Sequence, residues 1–329
     1  MNISPVEELF TVFNETALII QEELEYTYLE SLALTGENIF QEAILQEELS
    51  ELSKKRLKKS YEAIKLATYT KEEIRKAFQL VILKGMKENT QPNHQMTPDS
   101  IGILFGYLVQ KFWTNEELRL LDLAVGTGNL LTTVMNHQQG KIIAAYGVDI
   151  DELLLQLALV NANLQEQPIE FFNQDSLEHL FIDPVDVVVS DLPVGYYPND
   201  IRSNEFKVKS DNGHTYAHHL FIEQSMNYLK SGGYGFFVIP NNLFESEQAD
   251  KLHEYIKEDV HIQGILQLPE TLFKNKQSAK SILILQKKGN NIVAPKQVLL
   301  AKVPSFSNMR AMEKVLSELD TWIQANKKG

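Results

Sequence analysis

Leu120, Leu121, Asp122, Leu123, Ala124, Val125, Gly126, Thr127, Gly128, Asn129, Leu130, Leu131 sets the frame for everything around it. An apolar run short enough for a buried strand meets two glycines one residue apart, and an amphipathic segment from Asn129 to Met135 follows at once, so the local reading is strand, tight turn, helix. Glycines at 126 and 128 let the backbone turn sharply and approach a ligand with no Cβ in the way, while the first amides of the helix offer donors. One strand later, Ile142 to Val148 ends in Asp149, about 20 residues beyond Gly128, the span after which a carboxylate meets ribose hydroxyls in doubly wound sheets. The two features together predict an adenosine-bearing ligand.

Working outward, the 329 residues are 43% hydrophobic, enough for one large core and a smaller companion. No run approaches the roughly 18 uninterrupted apolar residues of a membrane span, and the acidic N-terminus is unlike a signal peptide, so a cytoplasmic protein without membrane attachment is expected. The absence of cysteine excludes disulfides, thiolate metal sites and a cysteine nucleophile. The net charge of −13 is local: residues 1–51 hold 12 Glu and no Lys, Arg or Asp, leaving 31 basic against 32 acidic residues in the rest. A near-neutral body neither demands nor forbids a polyanion, although a dedicated DNA binder would carry a basic surplus.

From Pro5 to about Leu34, Val6, Phe10, Phe13, Ala17, Ile20, Leu24 and Tyr28 step by three or four residues, which predicts one long helix. Thr35 to Asn38 should break it, and a second periodic segment through Ile44, Leu57 and Ile64 should run antiparallel to it. Lys54, Lys55, Arg56, Lys58 and Lys59 read as a solvated face in preference to an anion-facing patch. Thr70 with Glu73 forms a capping box for a third helix. Residues 1–88 are thus expected to be an acidic helical domain, followed by a linker over 88–94. Thr97 and Pro98 suit an N-cap and a first helical position, and capping alone would explain Thr97.

From 120 onward, seven short apolar runs (120–124, 142–148, 169–172, 185–190, 234–239, 261–267 and 281–286) alternate with amphipathic segments. This pattern predicts an α/β fold, a doubly wound, Rossmann-like sheet of about seven strands beside the N-terminal all-helical domain. Pro269 to Lys280 is too irregular for a crossover helix, so an antiparallel final hairpin fits. A loop should follow Lys288, and Met309 to Ala325 should form a closing helix. The sheet domain is set at 89–303 and the terminal helix, packed on it, at 304–329. Such a sheet binds at the carboxyl ends of its strands, which gathers Gly126 to Asn129, Asp149 with Asp151, Asp175 with Ser176, and Asp191 to Tyr197. Asp149 fits the ribose. Asp175 fits an adenine amino group or, equally, an Asx turn opening the segment from Ser176.

These residues resemble the S-adenosylmethionine motif of class I methyltransferases, in particular the adenine-specific DNA methylases similar to type I restriction modification subunits, and within them a YtxK-like group of bacterial proteins. The resemblance rests on Asp122, Ala124, Gly126, Thr127, Gly128, Asn129, Leu130 and Leu131, with Thr97, Asp149, Asp175 and the end of the fourth strand, and it spans roughly 90 to 290. It implies S-adenosylmethionine as cofactor and S-adenosylhomocysteine as product, with Thr97, Asp122, Ala124, Gly126, Thr127, Gly128, Asn129, Leu130, Asp149, Ile150, Asp175, Ser176 and Asp191 around the cofactor. It also implies methyl transfer to an exocyclic amino group, adenine in DNA first. Such methylases carry Asn or Asp, Pro, Pro and an aromatic residue after the fourth strand; here stand Asp191, Leu192, Pro193 and Val194. Asp191 and Pro193 are the expected acceptors for the amino group, and Tyr196 or Tyr197 the ring that would stack on a flipped base, against the plainer reading of ordinary loop tyrosines.

Leu192 and Val194 also motivate a second reading, a cofactor-binding regulator derived from a methylase, with the acidic helices as the arm for a protein partner. A nicotinamide-dependent dehydrogenase shares the glycines and Asp149 but wants Gly or Ala where Leu131 stands. His214, His218 and His219 lack companions at ligand spacing and are expected at the surface or as caps. Trp113 and Trp322 read as packing residues. No metal is expected.

Overall fold

A computed structural model describes residues 3–88, 96–138 and 140–326. The linker read over 88–94 lies, apart from Glu88, outside the described residues. Ser4 and Glu7 close a capping box at the start of α1 (Pro5–Leu24). Glu25 then turns left-handed, with φ 56°, and a second box of Thr27 and Glu30 opens α2 (Tyr28–Phe40). The single helix expected over 5–34 is therefore two. Apolar periodicity runs through the break because both helices feed one core, in which Phe13, Ala17, Tyr28 and Leu32 are buried. The break expected at Thr35 to Asn38 lies inside α2, where Gly36 lets the helix pass so close to Val160 that a Cβ would overlap it. α3 (Glu51–Glu62) is shorter than the 44–68 pattern and inserts Leu57. Its Lys54 pairs with Glu51 at 3.5 Å and donates to the Glu47 carbonyl at 3.1 Å, and Lys58 pairs with Glu62 at 3.9 Å, as a solvated face does. α4 (Lys71–Glu88) carries the Thr70–Glu73 box as read.

α5 (Asp99–Phe112) leads into the sheet: β1 (Leu118–Asp122), α6 (Asn129–His137), β2 (Ile142–Asp149), α7 (Glu152–Leu164), β3 (Glu170–Asn173) and β4 (Val185–Asp191). After the short α8 (Asp200–Ser203) come α9 (Ala217–Tyr228), β5 (Leu229–Pro240), α10 (Ala249–Asp259), β6 (Val260–Gln267), β7 (Lys280–Lys287), β8 (Leu299–Lys302) and α11 (Met309–Asn326). The strand order is β3-β2-β1-β4-β5-β7-β6-β8. The chain winds one way from β1 to β3 and the other way from β4, so the switch point lies between β1 and β4, where such sheets take their ligands. β7 runs antiparallel to both β5 and β6, the hairpin expected. An eighth strand stands where the sequence predicts a loop; its four residues bury only Leu299, too little for a period to show.

Buried on both faces, the central strands send alternate residues to two cores. Val187, Val189, Phe236 and Val238 join α5, α6 and α11 on one side; Val188, Phe237 and Ile239 join α9 and α10 on the other. Trp322 of α11 stacks on Phe112 at 5.9 Å. α7 belongs to two cores at once: Leu155 packs with the sheet, while Leu157, Val160 and Leu164 lie in the core of α1, α2 and α4.

Candidate active site

The carboxyl rim at the switch point has two halves. In the first, Gly126 takes φ 51° and Gly128 φ 75°, left-handed values that glycine alone adopts without strain. The backbone N–H of Gly126 donates to Asp149 Oδ2 at 2.7 Å and that of Asp151 to Oδ1 at 3.0 Å, so Asp149 ties the glycine turn to the start of α7. A Cβ on Gly128 would come 3.2 Å from Ala158 of α7, whereas one on Gly126 would find nothing within 4 Å and project into open space. Asp122 is 1% exposed and accepts Ala124 N–H and the Ser190 hydroxyl on Oδ1, at 3.0 and 2.8 Å. Burial pushes its carboxyl up to about 7, with the negative charges of Asp149 and Asp191 adding to the shift. Burial likewise raises Asp149 above the usual carboxylate range. A cradle roofed by a bare glycine and walled by crowded carboxylates fits a ligand of fixed positive charge. Next to it Ile150 leaves 72% of its surface in solvent, an apolar platform beside Asp149.

Other residues expected here have partners within the chain. Leu130 is in the sheet core, and Thr127 is buried with its carbonyl accepting from Asn161. The Ser176 hydroxyl donates to the Leu123 carbonyl. Asp175 forms the Asx turn, Oδ1 accepting Leu177 N–H at 2.9 Å, and Oδ2 takes the Tyr197 hydroxyl at 2.6 Å.

The second half centres on Asp191, at the end of β4. The Thr97 hydroxyl donates to its Oδ2 at 3.0 Å, and the Lys280 ammonium to its Oδ1 at 2.8 Å. Thr97 is thus no helix cap. Pro98 holds the cap position of α5 and makes no side-chain cap bond, which frees the threonine to face the rim. The Thr97 carbonyl accepts from Asn129 Nδ2 at 3.2 Å, and Asn129 Oδ1 accepts from Arg75 Nη1 at 2.6 Å. Arg75 of α4 is fully buried and also grips Asp99 through two bonds and Glu72 through two more. A chain of hydrogen bonds therefore runs from the helical region through the glycine turn to Asp191.

Leu192 turns into the core, whereas Pro193 and Val194 face solvent. Tyr197 turns inward to Asp175, and Tyr196, 55% exposed, is the ring left at the surface. It stacks on Tyr216 at 4.8 Å, and both hydroxyls donate to Glu247 Oε1. His214 is exposed and paired with Asp200 at 2.8 Å. The placement of His218 and His219 corrects the sequence reading, since both are buried and neither caps α9. They stack edge and face with Tyr216 as neutral rings, burial lowering His218 to about 4 and His219 to about 3. Arg75 and Lys280 escaped sequence reasoning. The available signals were an arginine on the apolar line of α4, three residues after Glu72, and a lone cation directly ahead of the apolar run 281–286.

A doubly wound sheet whose glycine turn and acidic strand ends line the switch point is an arrangement that class I S-adenosylmethionine-dependent methyltransferases share. The chain belongs to the N-6 DNA methylase family, whose model matches residues 83–322, and residues 7–86 match the YtxK N-terminal helical domain. It is 50% identical to protein YtxK of Bacillus subtilis (strain 168), over 98% of each chain. A structure from Listeria monocytogenes, described as a class I S-adenosylmethionine-dependent methyltransferase, superposes with a TM-score of 0.90 at 48% identity, covering 97% of this chain and 99% of that one. A modification subunit of a type I restriction enzyme from Vibrio vulnificus YJ016 shares the fold, with a TM-score of 0.65 at 17% identity over 81% of this chain and 61% of the other. A Methanocaldococcus jannaschii protein described as a protein N5-glutamine methyltransferase is 29% identical over 53% of this chain and 85% of its own length. S-adenosylmethionine is accordingly the cofactor, and the enzyme is a methyltransferase of the N6-adenine and N5-glutamine class. Among the described residues, no helix is long and apolar enough to cross a membrane.

Proposed function

We propose that this methyltransferase acts on the exocyclic amino group of adenine in nucleic acid, DNA first. The observation that carries the reading is Asp191, a carboxylate fixed at the end of β4 beside the glycine turn and oriented by Thr97. When bound, S-adenosylmethionine supplies a sulfonium methyl group open to in-line attack by a nitrogen lone pair. The chain's part is orientation: Asp191 accepts an N–H of the target, with the backbone around Leu192 and Pro193 beside it, so that the lone pair faces the donor. Asp149 and the N–H groups following Gly126 would hold ribose and carboxylate, Ile150 would cover one face of the adenine ring, and Asp122 and Asn129 would complete the pocket. Tyr196 is the ring placed to stack on an extruded base. In the regulatory alternative, the acidic α1 and α2 are the arm for a basic protein partner.

The regulatory alternative draws on Val194, which stands where such methylases place an aromatic residue. Calorimetric titration with S-adenosylmethionine, followed by transfer of labelled methyl into duplex DNA, single-stranded DNA, RNA and whole-cell protein, separates the two. Transfer into nucleic acid that Asp191→Ala abolishes while cofactor binding persists supports the enzyme. Binding with no transfer into any pool supports the regulator.

A further inference from the structure

In a parallel sheet, the carboxyl rim receives strand ends. β7 is the exception, because running antiparallel between β5 and β6 it brings its first residue, Lys280, to the same edge as Asp191. The backbone pins it there. The Lys280 carbonyl accepts Leu268 N–H at 3.2 Å, the Ala279 carbonyl accepts Asn241 N–H at 3.1 Å, and the Ser281 hydroxyl donates to Asn241 Oδ1 at 2.7 Å. From this anchor the side chain reaches across β5 to set Nζ 2.8 Å from Asp191 Oδ1, both side chains being largely screened from water, at 27% and 19% exposed. With Thr97 on Oδ2, each oxygen of the acceptor carboxylate already has a donor.

A methyl-accepting amino group needs what Lys280 now has, a nitrogen donating to Asp191. We propose that Lys280 occupies the acceptor position of the site: its ammonium stands in for the target amino group, and a substrate gains Asp191 only by drawing Lys280 away. The inference rests on the reading of Asp191 as amine acceptor. Its consequence is a substrate class. Pulling the ammonium off with nothing in return leaves two partly desolvated charges unpaired. A substrate that opens the site therefore pairs its amino group with an anionic group in reach of the freed cation. A nucleotide within a strand offers both, the adenine amino group and the neighbouring phosphate; a free neutral amide offers only one.

The test uses the full chain saturated with S-adenosylhomocysteine and two fluorescein-labelled single-stranded oligonucleotides that differ at one base, adenine or hypoxanthine, which lacks the amino group. Fluorescence anisotropy gives both affinities. The native protein should show little preference for adenine. Lys280→Met keeps the alkyl stem but removes the competing donor, so its preference should rise about tenfold if the open state is about a tenth of the population. Lys280→Arg should retain the native ratio, and adding Asp191→Ala to Lys280→Met should erase the gain. Methyl transfer from S-adenosylmethionine to the adenine strand should rise in parallel. If the native protein methylates adenine and Lys280→Met brings neither faster transfer nor greater preference, the amine-acceptor reading stands and the inference falls. If neither protein distinguishes the bases or transfers methyl to adenine, the reading itself falls and the inference with it.

Discussion

The two halves of the rim are built in opposite ways. The cofactor half is local: a glycine turn, the next strand end and the helix after it are bound together mostly by backbone amides on Asp149, within about one βαβ unit. The proposed acceptor half is assembled from Thr97, Asp191 and Lys280, residues that three separate parts of the chain contribute. Backbone-built sites tolerate side-chain drift around them, whereas a site made of distant side chains changes its chemistry with each one. The departures from the usual methylase pattern, Leu192 and Val194, fall in the second half.

The largest expected effect separates the halves directly. Asp191→Ala should lower methyl transfer by on the order of 100- to 1000-fold, the cost of losing one pre-organised group aimed at developing charge. Calorimetry should find S-adenosylmethionine affinity nearly unchanged; a parallel loss of affinity would mean the two halves are one site. Arg75→Met probes the bridge between the helical region and the rim. It leaves Asp99 without its cation and Glu72 with the Lys76 ammonium at 3.6 Å, which should cost about 3 kcal/mol in chemical denaturation, the low end for one partner removed from a buried pair because both acids keep some water. The same variant should weaken cofactor binding through Asn129.

Smaller effects dissect the cofactor half. Gly128→Ala imposes about 1–2 kcal/mol of left-handed strain and crowds Ala158, so S-adenosylmethionine affinity should drop about tenfold. Gly126→Ala carries the same kind of strain without a protein neighbour. A loss of affinity clearly greater than that of Gly128→Ala would place the cofactor over that residue, and retained affinity would put it elsewhere. The smallest effect is a change in a pH profile. Because the folded chain holds a proton on Asp122 up to about pH 7 while the unfolded chain releases it near the ordinary carboxylate value, stability should decline as pH rises from about 4 to about 7 and level off above. Asp122→Asn keeps an acceptor for Ala124 and Ser190 and should flatten that slope in melting curves taken across the range.

What could be read in advance divides along the same line. The glycine turn, Asp149, the alternation of strands and the Thr70–Glu73 cap were legible because each is written in contiguous residues with a fixed period or spacing. The split between α1 and α2 was missed although Thr27 and Glu30 announce it, because the shared core keeps the apolar period running across Glu25. In the sequence, capping accounts for Thr97 because its neighbour Pro98 suits a helix start, and the resemblance sets it near the cofactor; its contact with a strand end far along the chain comes from the fold. Burial of His218 and His219 was unreadable for a related reason. A histidine looks polar in sequence, yet a neutral imidazole packed on Tyr216 behaves as a small aromatic ring.

α7 decides where this protein can be cut. Its outward face, Leu157, Val160 and Leu164, is covered by α2 and its companions, with Gly36 permitting the close approach. A shortened chain beginning near residue 96 would turn that covered face to water as a new apolar stripe on the side of the sheet, one that invites self-association. Loss of activity in such a fragment would then measure a sticky surface, not the contribution of the missing helices to chemistry, and a fair dissection has to leave the first four helices in place and alter single contacts.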